Sequence, residues 1–187
     1  VWLKKAVDLN QEMIRQFWDE TQGGFFFTGK ENETLIARSK NPYDNVLPSS
    51  NSVALFNLVR LGYLTGEETL KQKAEQVLHL FYALLSEHPS RFTHMLSGLS
   101  FFFDPEEIGI IGPRKDSRTQ AMIKEINASY LPNKILSLKD PQEPFDEQWF
   151  PFLREKGIGV GPTTFVCRGF TCLPPVKDEK ELKKILA

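Results

Sequence analysis

Cysteine is scarce in this chain, and long hydrophobic runs are missing. The 187 residues include two cysteines, too few for the disulfide framework of a small secreted protein, so we expect a cytoplasmic setting. No apolar run approaches the roughly 20 residues that a transmembrane helix needs. The first residues also lack the apolar core of a secretion signal. These absences predict a cytoplasmic protein without a membrane span.

An excess of either charge is missing as well. Lys and Arg total 23 against 24 Asp and Glu, which gives a formal net charge of -1. This balance argues against nucleic acid or an anionic membrane surface as a partner. The 41% hydrophobic content is ordinary for a globular protein, and the length allows one large domain or two small ones. The chain begins inside a helical pattern with no capping residue before it, so we expect a fragment of a longer protein.

Apolar residues at steps of three and four predict four helices, which we expect to pair as two hairpins. The second of them is apolar almost all the way round, which is typical of a buried inner helix. The helices are expected at residues 1–20, 53–62, 66–88 and 90–103. Residues 1–104 are therefore assigned to an all-α portion.

Turn-forming and capping residues mark the ends of these helices. Gly23 and Gly24 are expected to end the first helix, and Gly62 the second. Thr65 and Glu68 have the spacing of a capping box, which would start the third helix.

The hydrophobic period changes after Asp104 and Pro105. The expected order is then β-α-β-α-β-β-α, and the first βαβ unit is expected to be right-handed. The elements are expected at residues 107–112, 117–130, 134–138, 146–154, 163–167, 171–176 and 179–186. This order is that of a thioredoxin-like core, with Pro162 where that fold often carries a cis-proline. The turn at residues 112–115 has no cysteine, so dithiol chemistry is not expected there. Residues 105–187 thus form a small α/β domain in this interpretation.

Several motifs resemble one protein family. They are GGFFFTG at 23–29, L-x-x-R-x-K at 35–40 followed by Asp44, P-S-x-N-S at 48–52, N-L-x-R-L at 57–61, Y-L-P-N-K at 130–134, and F-V-C at 165–167 with Cys172, Pro175 and Val176 beyond it. Their order covers nearly the whole chain. Together they resemble the C-terminal region of the spermatogenesis-associated, thioredoxin-domain-containing proteins.

The resemblance implies a longer parent protein. That parent would have an N-terminal thioredoxin-like domain and an (α/α) toroid of the six-hairpin glycosidase and N-acylglucosamine 2-epimerase type. This chain would supply the last two hairpins of the toroid and the C-terminal α/β domain. Because two hairpins leave the flanks of a ring open, we expect a homo-oligomer or packing against missing upstream domains.

The same resemblance implies a carbohydrate-related module, epimerase-like, isomerase-like or glycosidase-like, with a small carbohydrate as its partner. The alternative is a non-catalytic scaffold or interaction domain that supports the thioredoxin-like domain. The sequence leaves open whether the chain belongs to an enzyme. It predicts no cofactor and no metal.

The segment at residues 38–51, here called the polar loop, holds the candidate site. Arg38, Lys40, Asp44, Ser49 and Asn51 precede or begin the buried helix and could converge at the open end of a toroid. Cationic and carboxylate groups there suit hydrogen bonds to sugar hydroxyls, and Asp44 is the candidate for proton transfer if burial raises its pKa. The alternative is an internal ion pair that fixes the loop, with Ser49, Ser50 or Asn51 capping the helix.

The histidines give no catalytic pattern. Toroid epimerases generally work with histidines, but His79, His88 and His94 share no motif spacing, so we assign none of them a catalytic role. The three phenylalanines at residues 25–27 could line a pocket, although packing against the helices is the interpretation we favour.

Two further features leave alternatives open. Cys167 and Cys172 flank a short hairpin, within reach of a disulfide or of half a zinc site; we expect reduced structural cysteines. Gly109, Gly112 and Pro113 resemble a phosphate-binding turn, but they lack the full glycine fingerprint and the P-loop lysine.

Overall fold

The computed structural model describes residues 2–33, 36–144, 149–154, 156–157, 161–169 and 171–186. Its secondary structure is mixed helix and sheet. The chain divides into two compact units. The helical unit comprises Val1–Gly62 and Glu67–Phe102, and the α/β unit comprises Tyr63–Gly66 and Phe103–Ala187. Within the described ranges, none of the helices combines the length and the apolar character that crossing a bilayer requires.

Four long helices come first, as the apolar spacing predicts. They are α1 (Trp2–Phe17), α2 (Ser50–Thr65), α3 (Glu68–Glu87) and α4 (Thr93–Phe103), with a 3-10 turn at Pro89–Arg91 between the last two. The side chains of Leu55, Leu58 and Val59 are fully buried, whereas Val53 is 41% exposed, so α2 is buried on one broad face and not all the way round. The pairing of these helices as toroid hairpins stays a prediction.

Two expected helix boundaries are wrong. Gly62 does not end α2; a Cβ at this position would lie 2.9 Å from Lys71 Cγ, so the glycine permits a close approach instead. Thr65 is still part of α2, so it cannot cap α3, which starts after Glu67 without a side-chain cap. The capping box expected between Thr65 and Glu68 is therefore not formed.

Two apolar rows lie on α1, one through Val7 toward Trp18 and one through Trp2 and Leu9. Val7 is 7% exposed, and Trp18, which follows the helix, is 2% exposed. Trp2 is 81% exposed and Leu9 is 71% exposed, whereas Phe17, at the end of the same row, is half-buried. Trp2 and Leu9 thus form an apolar row that the described residues do not cover.

The α/β unit is built on a four-stranded sheet. The strands are β1 (Glu106–Ile111), β2 (Lys134–Lys139), β3 (Thr163–Arg168) and β4 (Thr171–Cys172), and they lie in the order β2-β1-β3-β4. β1 pairs with β2 in parallel and with β3 antiparallel, and β4 adds an antiparallel edge. The helices are α5 (Ser117–Ala128), α6 (Pro151–Arg154) and α7 (Glu179–Leu186).

The expected order of elements is confirmed for this unit, with small corrections. The last strand is shorter than expected, since Val176 forms only an isolated bridge with Thr164. Residues 146–148 of the expected fourth element lie outside the described residues. The peptide bond before Pro162 is trans, unlike the cis-proline that the thioredoxin fold often carries at this place. Asp116 and Asp178 cap α5 and α7 by accepting hydrogen bonds from the backbone amides of Arg118 and Lys180.

The core of the α/β unit lies on one face of the sheet. Ile108 and Ile110 of β1 and Val166 of β3 pack there, all of them fully buried. Ile111 and Phe165 pack with α6 on the other face. Apolar residues of the strands therefore pack on both faces of the sheet.

Candidate functional site

The Asp44 carboxylate, in the polar loop, binds backbone amides at the starts of α2 and α4. Its Oδ1 accepts a hydrogen bond from Ser49 N at 2.7 Å, and its Oδ2 accepts from His94 N at 2.8 Å and Met95 N at 3.2 Å. Burial raises the pKa of Asp44, but the hydrogen bonds outweigh burial and hold that pKa below its ordinary value. The carboxylate is therefore ionised at neutral pH and lies at the start of α2 and of α4, where negative charge is favourable.

Ser49 and Asn51 complete the start of α2. The Ser49 hydroxyl accepts from Ser52 N at 3.1 Å, which makes Ser49 the N-cap among the three expected candidates. Asn51 is fully buried. Its Oδ1 accepts from Phe25 N at 2.8 Å, and its Nδ2 donates to Phe25 O at 3.0 Å. The Asn51 side chain thus supplies both backbone partners of Phe25.

Lys40 and Arg38 bind other parts of the helical unit. Lys40 Nζ lies 2.7 Å from the Asp19 carboxylate and donates to Gly23 O at 2.6 Å. The hydrogen bond from Lys40 is the main cause that lowers the pKa of Asp19. Arg38 donates to Thr28 O and, at 3.2 Å, to Gln16 O. Its guanidinium carbon lies 4.2 Å from the centroid of the Phe26 ring.

The structure therefore assigns different partners from those the sequence suggests. The expected internal ion pair joined Arg38 or Lys40 to Asp44; Lys40 pairs with Asp19 instead, and Asp44 binds backbone amides. The reason is local: Asp44 lies beside two helix N-termini, which offer several amides at once. A role for these side chains in ligand binding stays a prediction.

A shallow cavity of about 310 Å³ lies beside the polar loop. It combines amides, hydroxyls, aromatic rings and aliphatic side chains. Its lining residues are Phe27, Asn41, Tyr43, Asn45, Val46, Leu47, Pro48, Ser49 and Ser50. Of the predicted binding residues, only Ser49 lines it. This set can donate and accept hydrogen bonds, but it contains no carboxylate or imidazole for proton transfer.

The three histidines lie apart from this cavity lining. His94 stacks on Phe56 with ring centroids 4.6 Å apart. His79 is exposed on α3, 3.7 Å from the exposed Glu75 carboxylate. His88 follows the end of α3, where its N–H donates to Leu84 O. These are packing and surface positions.

A second cavity, of about 250 Å³, lies in the α/β unit after β1 and β2. Gly112 and Pro113 line it, so it corresponds to the turn that resembles a phosphate site. Carboxylates already occupy the amides there: Arg114 N donates to Asp140 and Arg118 N to Asp116. The Arg118 hydrogen bonds hold the pKa of Asp116 low. Because two carboxylates bind these amides, the turn does not favour a phosphate.

Cys167 and Cys172 form a disulfide, so the expectation of reduced cysteines is wrong. The two residues are direct partners in the ladder between β3 and β4. The hydrogen bond from Leu173 N to Val166 O flanks them, which makes them a non-hydrogen-bonded pair, the position where side chains lie closest.

The sequence did not indicate several partners. Asp19 binds Lys40 from a position 21 residues away, and Lys156 Nζ lies 3.5 Å from Cys172 Sγ. Neither pair has a spacing that a local motif would reveal. Tyr43 and Asn45, which line the first cavity, could have been found, because they flank Asp44 in the same loop.

The chain is similar to a set of animal proteins. It is 32% identical to human spermatogenesis-associated protein 20 and 31% identical to the rat protein, over 99% of this chain and 24% of each relative. It is 26% identical to an uncharacterised protein of Caenorhabditis elegans, over 98% of this chain and 25% of that protein. No protein-family model matches.

The chain therefore corresponds to about a quarter of the length of these relatives. The similarity runs through both units, since it covers almost every residue. Similarity at this level, over the whole chain and in three species, supports the resemblance to the spermatogenesis-associated protein 20 family that the sequence motifs indicate.

Proposed function

We propose that this chain is a non-catalytic structural module of a longer protein, with the polar loop serving to hold the helices of the helical unit. One observation carries the proposal. The polar groups of Arg38, Lys40, Asp44 and Asn51 all bind backbone atoms within the helical unit. Groups bound in this way are poorly placed to act on a substrate without loss of fold.

The uncovered apolar row of α1 supports an assembly role. Trp2 and Leu9 are exposed there, and the chain corresponds to about a quarter of its relatives' length. In the proposal, the preceding part of the parent chain covers this row, as a neighbouring hairpin of an (α/α) toroid would. The α/β unit completes the module with a thioredoxin-like arrangement, which its strand order β2-β1-β3-β4 supports.

An association measurement tests the assembly role. Light scattering on the isolated chain should show concentration-dependent association, and Leu9→Gln should reduce it. Lys4→Gln is the matched control, since it places the same side chain on an exposed position of α1 without removing apolar surface. An isolated chain that stays monomeric at high concentration, with Leu9→Gln indistinguishable from it, would contradict the proposal.

Carbohydrate binding is the second candidate function. The observation that favours it is the lining of the 310 Å³ cavity, where Asn41, Asn45 and Ser50 supply polar atoms beside the Tyr43 ring. An aromatic ring with amides and hydroxyls around it suits a sugar, which has apolar faces and many hydroxyls. This candidate needs no catalytic residue.

A sugar-library screen on the longest available form of the protein separates the two candidates. The structural module predicts that no sugar raises the melting temperature. Carbohydrate binding predicts a stabilising sugar whose effect is lost in Asn45→Ala and kept in Asn32→Ala, an exposed asparagine outside the cavity lining. Turnover of any sugar by the protein would contradict the non-catalytic proposal.

A further inference from the structure

The Cys167–Cys172 disulfide is strongly asymmetric in its exposure. Cys167 is 5% exposed, on β3 inside the sheet. Cys172 is exposed, on the two-residue edge strand β4. Thiol–disulfide exchange requires a thiolate to reach a sulfur atom directly. A reagent in solution therefore approaches Cys172 more readily than Cys167.

A cation lies beside the exposed sulfur. Lys156 Nζ is 3.5 Å from Cys172 Sγ. The same ammonium group lies 5.4 Å from the ring centroids of Phe152 and of Phe165, and cation–π attraction holds it there. A neighbouring ammonium stabilises a thiolate over a thiol, and the thiolate is the reactive form. Among the other charged residues near the hairpin, Arg168 and Glu106 bind each other at 2.6 Å, and Glu107 is the ladder partner of Cys167 on β1.

We expect the α/β unit to stay folded when this disulfide opens. It joins cysteines only five positions apart, so it restricts the unfolded chain much less than a long-range disulfide would. The core next to it, which includes Ile108 and Val166, consists of apolar side chains on other positions of the strands. Folded oxidised and folded reduced forms of the unit are therefore both expected.

We propose that Cys167 and Cys172 form an exchange-active dithiol–disulfide pair, with Cys172 as the attacking sulfur and Cys167 as the resolving one. Its reaction partners are low-molecular-weight disulfides and thiols of the glutathione class. This proposal is independent of the structural role proposed above, because it uses no residue of the polar loop.

The small disulfide oxidises the protein dithiol in two successive thiol–disulfide exchanges. The Cys172 thiolate attacks one sulfur of the small disulfide, whose S–S bond breaks, and one small thiolate leaves and takes up a proton. The Cys167 thiolate then attacks Cys172 Sγ, the mixed disulfide breaks, and the second small thiolate leaves and is protonated. Two electrons pass from the protein dithiol to the small disulfide, and the reverse sequence regenerates the dithiol.

Alkylation of the reduced chain tests which sulfur attacks. The chain is reduced, desalted and treated with limiting iodoacetamide, and peptide mass spectrometry quantifies each cysteine. Cys172 should react about tenfold or more faster than Cys167, and Lys156→Gln should slow Cys172 severalfold. Lys177→Gln, an exposed lysine of the same unit, should leave both rates unchanged. Equal rates at the two cysteines would overturn the assignment of the attacking sulfur, and an unchanged rate in Lys156→Gln would overturn the role of the lysine.

Glutathione tests the exchange itself. Cys167→Ser should accumulate a mixed disulfide with oxidised glutathione at Cys172, whereas Cys172→Ser should form almost none at Cys167. In the unsubstituted chain, millimolar reduced glutathione should open the disulfide while the circular dichroism spectrum stays native. A disulfide that resists this treatment, or opens only with loss of the native spectrum, would overturn the proposal, since exchange would then depend on unfolding.

Discussion

The segment at residues 23–28 of the helical unit and the sheet of the α/β unit satisfy their backbone groups in different ways. In the sheet, β1 is paired on both sides along all six of its residues, so amide and carbonyl groups mostly bind each other. In the helical unit, side chains of the polar loop provide the partners of backbone groups at residues 23–28. Asn51 binds Phe25, Lys40 binds Gly23, and Arg38 binds Thr28.

This difference affects how a cluster of polar residues in a sequence should be interpreted. An irregular buried segment needs partners for its backbone groups, and side chains supply many of them where no continuous strand or helix pairs with it. A group of charged and amide side chains before a buried helix therefore has a structural explanation that must be tested before a catalytic one. By contrast, the side chains of Cys167 and Cys172 at the edge of the sheet are bonded to each other and do not serve as partners of backbone groups.

The largest expected loss of stability is that of a substitution at Asn51. Asn51→Ala removes both partners of Phe25, and each buried backbone group left unpaired costs about 1–3 kcal/mol, so the loss should total about 2–6 kcal/mol. Urea unfolding measures it. Asn57→Ala is the control, because Asn57 is exposed on the same helix; it should change stability by less than about 0.5 kcal/mol. Equal effects of the two substitutions would mean that Asn51 is not a structural residue.

The next largest loss of stability is expected for a core substitution in the sheet. Ile110→Ala deletes a fully buried side chain at the centre of the α/β core, and large-to-small changes of this kind cost about 2–5 kcal/mol. Ile135→Ala, in β2, should fall in the lower part of the same range. Tyr130→Ala, at a side chain that is 91% exposed, is the surface control. A loss below about 1 kcal/mol for Ile110→Ala would mean that the strand is loosely packed.

Ile110 and Asn51 show how much of the structure can be predicted from the sequence. Ile110 is predictable because strand residues follow a short apolar run, and a buried face needs no knowledge of distant residues. Asn51 is predictable as a residue of interest, since it begins a buried helix. Its partner, Phe25, is 26 positions away, and no periodic pattern relates an irregular loop to a distant backbone group. Element type was thus readable from the sequence, whereas the role of each loop side chain was not.

The same reasoning explains the corrected details. The expected end of α2 at Gly62 is wrong because this glycine makes room for Lys71, whose Cγ would lie 2.9 Å from a Cβ at this position, and does not stop the helix. The redox state of Cys167 depends on strand register, which places it opposite Cys172. Register follows from pairing across the sheet, and composition does not determine it.

A smaller effect is expected for Asp44→Asn. The substitution keeps the shape but removes the charge and one acceptor oxygen, and Ser49, His94 and Met95 all donate to this carboxylate. Loss of a charged hydrogen bond costs about 1–3 kcal/mol. Thermal melts of Asp44→Asn and of Asp8→Asn, an exposed position on α1, measure the difference. An unchanged melting point together with loss of sugar binding would identify Asp44 as a ligand-binding residue and contradict the structural role.

The smallest effect is the pH dependence of that difference. Because the pKa of Asp44 is lowered on folding from its ordinary value near 3.8, its charge stabilises the folded chain fully above that value, and the contribution is lost as the pH falls through the folded pKa. The stability gap between the unsubstituted chain and Asp44→Asn should therefore stay constant from about pH 7 to about pH 5 and narrow below about pH 4. Urea unfolding at each pH measures this gap, with Asp8→Asn as the reference. A gap that does not narrow in acid would show that shape, and not the ionised carboxylate, accounts for the role of Asp44 at the two helix N-termini.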